Sequence, residues 1–346
     1  MLVIRPVSLN DLDQLVELTS MTSFGLTSLP KDRHLLRTRI AASQRAIEDT
    51  PDKPGGESYL FVMEDTDTGA VVGTSGVTAK VGGFEPFYAY RIETSVHESK
   101  MLNTRKEIRS LHLVTEHSGP TELVSLFLRP SHRRSGNGRF LSLARFLFLA
   151  EHPARFEPIV IAELRGVIDE RGRSAFWDAL GRHFFDIEFP DADYLSVVNK
   201  RFIADLMPTH PIYIPLLPRA AQEVIGQVHD RTRPALDLLL SEGFEHGQMV
   251  DIFEAGPIVR CRREQIHTVK HSVRATVADI ADKPIESDTF IISNTLADFR
   301  ACLGQVAADS PGRVRLANDT AAALGIKPGD TVRYAPLRSK PQAESR

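Results

Sequence analysis

The sequence predicts an α/β fold of the mixed α+β kind, organised in about two or three domains. The stretch 123–128 is apolar on both faces, as in a buried strand, and an amphipathic helical pattern at 140–150 follows it. Two strand-like runs, 58–64 and 70–81, flank a turn and indicate a hairpin. At 346 residues the chain is too long for a single small core.

The first part of the chain contains strands and helices in irregular alternation. A short strand ends at Pro6, and Asn10 is placed to cap the helix that follows. A second helix is expected at 31–48, where a Pro- and Gly-rich segment stops it. After the hairpin, two more strands are expected, at 87–94 and 111–114.

The centre of the chain follows the order strand, basic turn, helix, strand. These segments are predicted at 122–129, 132–138, 140–150 and 158–164. A short helix at 174–180, with Gly181 as its C-cap, and a strand that begins at Phe184-Phe185 complete this part. A similar order returns later, with a strand at 224–228, a helix at 235–241 and a strand at 249–253. This spacing indicates a partial second strand-helix repeat.

Short β-branched runs after Gly256, among them 266–269, alternate with turn residues and predict a small β-rich C-terminal region. Changes in sequence character suggest boundaries between the parts of the chain. We expect a first domain, a second partial unit, a β-rich domain and a disordered tail, at 1–205, 206–256, 257–338 and 339–346.

The composition argues against several classes of protein. The net charge is -3, without a long run of like charge, so neither nucleic acid nor a membrane surface is an expected partner. No apolar run approaches the roughly 20 residues that span a bilayer, and the N-terminus does not resemble a signal peptide. The two cysteines, Cys261 and Cys302, form no metal-binding pair. We therefore expect a cytoplasmic protein without a metal site.

The turn Arg133-Arg134-Ser135-Gly136-Asn137-Gly138 is the strongest candidate for a binding site. A helix N-terminus exposes N–H groups and attracts phosphate, and glycines permit close approach to the backbone. The spacing matches neither a Walker A loop nor a GxGxxG loop. The residues alone fit a pyrophosphate site and a tight turn with solvated arginines about equally well.

The turn also resembles a known motif. Arg/Gln-x-x-Gly-x-Gly/Ala after a buried strand is the pyrophosphate motif of the GCN5-related N-acetyltransferases. The segment Ile4-Arg5-Pro6-Val7 also resembles the N-terminal start of these proteins. Further motifs as far as about residue 257 resemble the arginine N-succinyltransferase family. These are Gly25-Leu26-Thr27-Ser28-Leu29-Pro30, Gly136-Asn137-Gly138, Ala162-Glu163-Leu164-Arg165-Gly166-Val167-Ile168-Asp169-Glu170, Phe176-Trp177, His210-Pro211-Ile212-Tyr213 and Val224-Ile225-Gly226-Gln227-Val228-His229.

This resemblance implies a GCN5-related acyl-CoA N-acyltransferase fold. It also implies transfer of succinyl from succinyl-CoA to the α-amine of L-arginine, as a step of arginine catabolism. Succinyl-CoA would then be a co-substrate, and no tightly bound cofactor is expected. The family's proton donor corresponds to His229, and its succinyl-CoA contact in Leu-Phe-Leu corresponds to Leu126, with Leu128 beside it. The residues Arg133, Arg134, Ser135, Gly136, Asn137 and Gly138 would bind the CoA pyrophosphate.

The substrate's guanidinium group and the succinyl carboxylate need charged partners. Candidates are Arg165, Asp169 and Glu170, together with Glu163 and the loop 26–28, and the sequence does not choose among them. Charged residues of this kind are more often solvated or paired for structural reasons.

Two other functions stay open at this point. The first is an acetyl-CoA-dependent amine N-acetyltransferase, since the same fold and turn would serve it. The second is a non-catalytic acyl-CoA sensor or subunit, against which the presence of both the turn and His229 weighs. A homo-oligomer is expected, and a hetero-oligomer with a related chain is an alternative.

Overall fold

A computed structural model describes residues 1–22, 26–49, 51–281 and 285–337. Gly25 and the predicted tail 339–346 lie outside these ranges. The strands are β1 Leu2–Pro6, β2 Ser58–Asp65, β3 Ala70–Thr78, β4 Phe87–Ser99, β5 Thr104–Glu116, β6 Thr121–Leu128, β7 Ile159–Glu163, β8 Ile212–Tyr213, β9 Glu245–Val250, β10 Pro257–Arg262, β11 Val273–Ala281, β12 Thr289–Asn294, β13 Ala301–Ser310, β14 Arg313–Ala317 and β15 Thr331–Pro336.

The α-helices of the described ranges are α1 Leu12–Ser20, α2 Arg33–Glu48, α3 Asn137–Glu151, α4 Ala175–Ala179, α5 Arg182–Phe185, α6 Phe189–Val198, α7 Arg201–Leu206, α8 Arg219–Val224, α9 Arg233–Ser241, α10 His267–His271 and α11 Asn318–Leu324. None of the described helices is long and apolar enough to cross a membrane. The predicted hairpin is confirmed as β2 and β3, and the predicted helices at 31–48 and 140–150 are confirmed as α2 and α3.

One twisted sheet carries the first part of the chain, in the order β1-β2-β3-β6-β7-β10-β9-β4-β5-β8. The sequence of β2 is almost continuously apolar because both faces of this strand are buried. Tyr59, Phe61 and Met63 join the core under α3, whereas Leu60 and Val62 join the core under α1 and α2. Side chains alternate across a strand, so a strand covered by helices on both faces buries both sets.

Three predicted strands are wrong, and all three are short. The strand predicted at 224–228 does not form. Val224 is the last residue of α8, whose Arg-Ala-Ala-Gln-Glu run favours a helix, and within 225–228 Val228 makes an isolated bridge to Gly166. The Phe184-Phe185 pair lies in α5, and Gly181 begins this helix with a φ of −57° instead of capping α4. The run 266–269 largely forms α10. Short apolar runs do not separate strand from helix by periodicity.

The β-rich C-terminal region is a five-stranded barrel that closes through pairing of β12 with β13. Its interior is apolar and includes Val277, Ile292, Leu316 and Val332. β13 also pairs with β1, so the barrel continues the main sheet. β10, which begins at Pro257, pairs with β7 and β9 of the main sheet. The domain boundaries themselves stay a prediction.

Candidate active site

The two parallel strands at the centre of the sheet separate soon after they begin. β6 and β7 pair at Thr121 with Val160 and at Glu122 with Ile161, and at no other position within the described part of the chain. Helix α3 connects them, so both carboxyl ends point to the same edge of the sheet. A gap therefore opens toward those ends, which is where open α/β sheets bind ligands.

A bulge in β6 fixes a loop at the side of this gap. Ser125 has a φ of +55°, and the pairing of β6 with β3 shifts register at the same point. The Ser125 N–H donates to Ser28 Oγ (2.9 Å), and Ser125 Oγ donates to the Ser28 carbonyl (2.8 Å). Thr74 Oγ1 donates to the Ser125 carbonyl (2.8 Å). The loop 26–28, a candidate from the sequence, is thus held against the splayed strand.

The basic turn after β6 presents free backbone N–H groups. Gly136 is the N-cap of α3, with a φ of +80°, and its carbonyl accepts from the Phe140 N–H (2.9 Å). Among the described residues, the N–H groups of Ser135, Gly136, Gly138 and Arg139 find no acceptor. Converging N–H groups at the positive end of a fifteen-residue helix suit an anion such as a pyrophosphate.

The arginines around the turn have different roles. Arg133 Nε donates to the Leu128 carbonyl (2.9 Å), and its guanidinium group lies 5.4 Å from the centre of the Phe127 ring. The Arg134 side chain is exposed. Arg139, by contrast, donates to the Leu337 carbonyl (2.7 Å) and to the buried Glu242 (3.2 Å). Arg139 therefore secures the helix, and Arg133 and Arg134 supply the charge near the turn.

A cavity lies beside the end of β7, between the start of β4, helix α6 and the turn after β9. Four carboxylates line it, from Glu163, Asp193, Asp251 and Glu254, and so do the cationic groups of Arg165 and Lys200. Thr27 of the loop 26–28 and the aromatic residues Phe87 and Tyr88 also line the cavity. The cavity thus combines charges of both signs with apolar surface, as sites for small charged molecules do.

The carboxyl groups of this cavity hold protons more tightly than usual. Burial raises the pKa of Glu163 well above its ordinary value, and the nearby Glu122 and Asp251 raise it further. Burial also raises the pKa of Glu254, whose Oε1 accepts from the Gly166 N–H (2.9 Å). Glu122 does not line the cavity itself but is hydrogen-bonded to Glu163, and burial raises the pKa of Glu122 to about 7. A cationic ligand would relieve this crowding of negative groups.

His229 lies next to the cavity wall. The backbone N–H of His229 donates to the Arg165 carbonyl (2.8 Å), next to the β-bridge between Gly166 and Val228. Its Nδ1 accepts from the Arg231 N–H (3.1 Å), so the neutral ring carries its proton on Nε2. Burial, then the Arg165 and Arg231 cations, lower the pKa of His229. The ring is therefore neutral near pH 7 and presents an Nε2–H donor.

The structure separates the predicted charged candidates. Arg165 and Glu163 line the cavity. Asp169 instead closes a surface turn, because its Oδ1 accepts from the N–H groups of Arg171 (2.9 Å) and Arg173 (2.8 Å). Glu170 is exposed on the same turn. Within the described ranges, no group of three or more His, Cys, Asp or Glu side chains is arranged to hold a metal ion.

Several residues of the cavity were not predicted from the sequence. Asp251 and Glu254 sit in the turn between β9 and β10, where Asp251 Oδ1 accepts from the N–H groups of Phe253 (2.7 Å) and Glu254 (2.8 Å). Lys200 follows α6. An Asp that accepts hydrogen bonds from N–H groups two and three residues later is common in turns. The sequence could therefore predict the turn at Asp251, but not its position in the cavity.

Comparison with known proteins agrees with this geometry. The family model described as "Arginine N-succinyltransferase beta subunit" matches residues 2–268, and the model of that subunit's C-terminal domain matches residues 273–336. The chain belongs to the arginine N-succinyltransferase family. An arginine N-succinyltransferase of Yersinia pestis (strain Pestoides F) is 43% identical over 345 residues, which is 97% of this chain and 98% of that protein.

Two proteins of Pseudomonas aeruginosa are also similar to this chain. One is named arginine N-succinyltransferase subunit beta and is 41% identical over 348 residues, covering 98% of this chain and 99% of its own. The other is a solved structure of arginine/ornithine succinyltransferase subunit AI, with a TM-score of 0.89, 38% identity and coverage of 98% and 99%. The predicted acyltransferase fold is thereby confirmed, and this chain is a member of an acyltransferase family.

Proposed function

We propose that this chain transfers the succinyl group of succinyl-CoA to the α-amine of L-arginine, giving N2-succinyl-L-arginine and CoA in arginine catabolism. Membership in the family carries the proposal, since relatives 41–43% identical over nearly the whole chain bear this activity in their names. The anion-binding turn and the acidic cavity support it, because the donor carries phosphates and the acceptor carries cations.

The donor site runs from the turn to the unpaired part of β6. The N–H groups of the turn and the side chains of Arg133, Arg134, Ser135 and Asn137 bind the pyrophosphate, with Gly136 and Gly138 permitting its approach. β6 lacks a neighbour on the β7 side beyond Glu122 within the described residues, so its backbone at Leu126 and Leu128 is placed to pair with the pantetheine arm. Succinyl-CoA acts as a co-substrate and leaves as CoA.

The acceptor site is the cavity at the end of β7. Carboxylates bind a guanidinium group through paired hydrogen bonds, and Asp251 and Glu254 are fixed in place by backbone N–H groups. Glu163 is the last residue of β7, next to the gap between β6 and β7, and is the candidate to face the α-amine. Arg165 in the same wall is the candidate to hold the succinyl carboxylate. Asp169 and Glu170 do not line this cavity and are the weaker candidates.

The reaction needs proton movements at two atoms. The α-ammonium group of arginine must lose a proton before its nitrogen attacks the thioester carbon. As the amide forms, the nitrogen loses a second proton, and the departing thiolate must be stabilised until it takes up a proton and leaves as CoA. A carboxyl group with a pKa of about 7, such as Glu122 beside Glu163, suits removal of the ammonium proton near neutrality. We assign stabilisation of the thiolate to His229, whose Nε2–H donates to the negative charge that develops on the leaving group.

A release assay for free thiol tests the proposed function. Succinyl-CoA or acetyl-CoA is mixed with arginine, ornithine or lysine, and the purified chain is added. Release with succinyl-CoA and arginine is expected. Release with acetyl-CoA alone would reassign the chain to acetyl transfer, and CoA binding without release would make it a sensor. Ornithine deserves inclusion because the solved Pseudomonas aeruginosa relative is named for both amino acids.

The cellular setting follows from the same reasoning. We infer a cytoplasmic enzyme without nucleic-acid or membrane partners, since the chain has a net charge of -3 and its substrates are central metabolites. We expect a homo-oligomer. A hetero-oligomer with a related chain is the alternative, because both Pseudomonas aeruginosa relatives are named as subunits.

A further inference from the structure

The hairpin of β4 and β5 extends beyond the body of the protein. Its strands are in continuous register from Phe87 opposite Glu116 to Ser99 opposite Thr104. The base of β4 is buried as far as Tyr90, whereas residues 94–98 are exposed. At about 3.3 Å per residue, the part from 92 to 99 is roughly 26 Å long. Residues 92–109 are called the arm below.

Both edges of the arm lack a neighbouring strand in the part of the chain that the structure describes. β9 pairs with β4 at Tyr90 and Arg91, below the arm, and β8 pairs with β5 at Ser110 and Leu111. The tip exposes two apolar side chains, Met101 at 91% and Leu102 at 68%. A two-stranded ribbon is marginally stable in water, and an unpaired edge is a template for another strand. These features indicate that the arm packs against another molecule.

The β4 edge is well suited to pair with the same edge of a second copy. When two identical antiparallel strands pair about a twofold axis, one residue lies opposite itself and its neighbours are matched symmetrically. With Val96 on the axis, Glu93 lies opposite Ser99 and Thr94 opposite Glu98, so no like charges meet. Val96, which is 50% exposed, is then covered by its own copy.

The β5 edge of the arm is less suitable. It is shorter, because β8 occupies the strand from Ser110 onward. A twofold axis near its middle sets like charges opposite each other. An axis at Lys106 places this ammonium group against its copy, and an axis at Glu107 places Arg105 against Arg109. Like charges directly opposite in a ladder are destabilising.

We propose that the arm is a dimerisation element, in which β4 edges of two copies of this chain pair antiparallel about Val96. The pairing places residue 100 of one copy opposite residue 92 of the other, so each tip lies at the base of the opposite arm. The arm belongs to the same strand that lines the cavity at Phe87 and Tyr88, and β9 occupies the strand edge between the two at Tyr90 and Arg91. The proposal does not depend on which substrates the chain uses.

Substitution of Val96 by Lys separates the arm itself from the interface. Within one hairpin Val96 lies opposite Glu107, so the new ammonium group gains an opposite charge. Across the proposed axis it meets its own copy and repels it. The control is Thr104→Lys, which adds the same charge on β5, opposite Ser99. Sedimentation velocity of the full chain should give a dimer for the wild type and for T104K, and at least tenfold weaker association for V96K.

Crosslinking tests the position of the axis. The native cysteines, Cys261 and Cys302, are buried, so Val96→Cys introduces the exposed thiol. Mild oxidation should convert the V96C variant to a band of twice the chain mass on non-reducing gels, whereas T104C should stay at the mass of one chain. A monomeric wild type, or a dimer that V96K leaves intact and V96C does not crosslink, overturns the proposal. Circular dichroism verifies that each variant is folded.

Discussion

His229 and Glu122 have pKa shifts in opposite directions, and burial is the largest cause of both. Burial disfavours charge, so it lowers the pKa of the imidazole and raises that of the carboxyl group to about 7. Both groups are consequently neutral over a wider pH range than in water. Groups with such pKa values next to a cavity are candidates for proton transfer.

Substitution of His229 by Ala removes the proposed hydrogen bond to the leaving group. We expect turnover to fall by about 10²–10⁴-fold, while the dissociation constant for CoA stays nearly unchanged, because the turn proposed to bind CoA is not altered. Steady-state kinetics and calorimetric titration with CoA measure the two quantities. His183→Ala, at an exposed position of α5, is the control and should behave as the wild type. Near-normal turnover of H229A would remove the assignment.

The raised pKa of Glu122 makes the free energy of unfolding depend on pH. Its pKa is about 7 in the folded chain and 4.5 as the ordinary value, so the folded state binds more protons between these limits. The free energy of unfolding therefore falls as pH rises through this window, by roughly 3 kcal/mol at most. Glu122→Gln removes the contribution of Glu122, whereas Glu163 and Glu254 keep theirs. Urea titrations from pH 4.5 to 8 should show a steeper fall for the wild type, and parallel curves would contradict the assignment.

The turn and the helix behind it act as one element. The positive φ of Gly136 lets the chain change direction at the start of α3, and Gly138 lies one residue inside the helix. A Cβ atom at Gly138 would be 3.9 Å from the Leu128 side chain, an ordinary contact. Gly136 therefore sets the path of the chain, whereas the structure itself does not require a glycine at position 138, where we propose that the ligand approaches the backbone.

Alanine at each glycine separates these purposes. Gly136→Ala forces a side chain into the left-handed region and should lower the free energy of unfolding by about 1 kcal/mol. Gly138→Ala should leave stability equal or slightly higher, because Ala favours a helix, yet weaken CoA binding about tenfold or more by blocking the backbone. Urea unfolding and CoA titration of both variants give the comparison. Unchanged CoA affinity in G138A would show that the ligand does not approach there.

At the scale of the whole molecule, two features join the C-terminal barrel to the acyltransferase sheet and its helix α3. One is the pairing of β1 with β13, and the other is an ion-pair network. Glu151, at the end of α3, pairs with Arg333 of β15 at 2.9 Å and with Arg274 of β11 at 3.6 Å. Glu151 and Arg333 are 8% and 17% exposed, whereas Arg274 is 59% exposed. Water screens the second pair far more than the first.

Removal of Glu151 should therefore affect stability more than removal of Arg274. Glu151→Ala leaves the Arg333 guanidinium group largely buried without its carboxylate, and we expect a loss of about 2–4 kcal/mol in the free energy of unfolding. Arg274→Ala removes the exposed pair alone and should lose about 0–1 kcal/mol. Urea unfolding followed by fluorescence measures both. Equal effects of the two substitutions would contradict the conclusion that burial makes the pair of Glu151 with Arg333 the stronger one.

The sequence by itself determined the fold class, the long elements and the turn. The apolar run of β6 and the amphipathic pattern of α3 are each long enough to show which element the segment forms. In segments of this length the pattern of buried side chains is visible within the segment itself. Short segments were different. Phe184-Phe185 and residues 224–228 became helix or loop, because neighbours distant in sequence decide the conformation of a run too short to show a period.

Only the tertiary structure decided how the candidate site is composed. Glu122, Glu163, Asp251 and Glu254 come from three separate parts of the chain, and their raised pKa values exist because folding buries them together. The resemblance pointed to His229, but its neutral Nε2–H form depends on the Arg231 N–H beside it. Charge, burial and hydrogen-bond geometry are properties of residues in contact, whereas periodicity and turn chemistry are properties of residues in sequence.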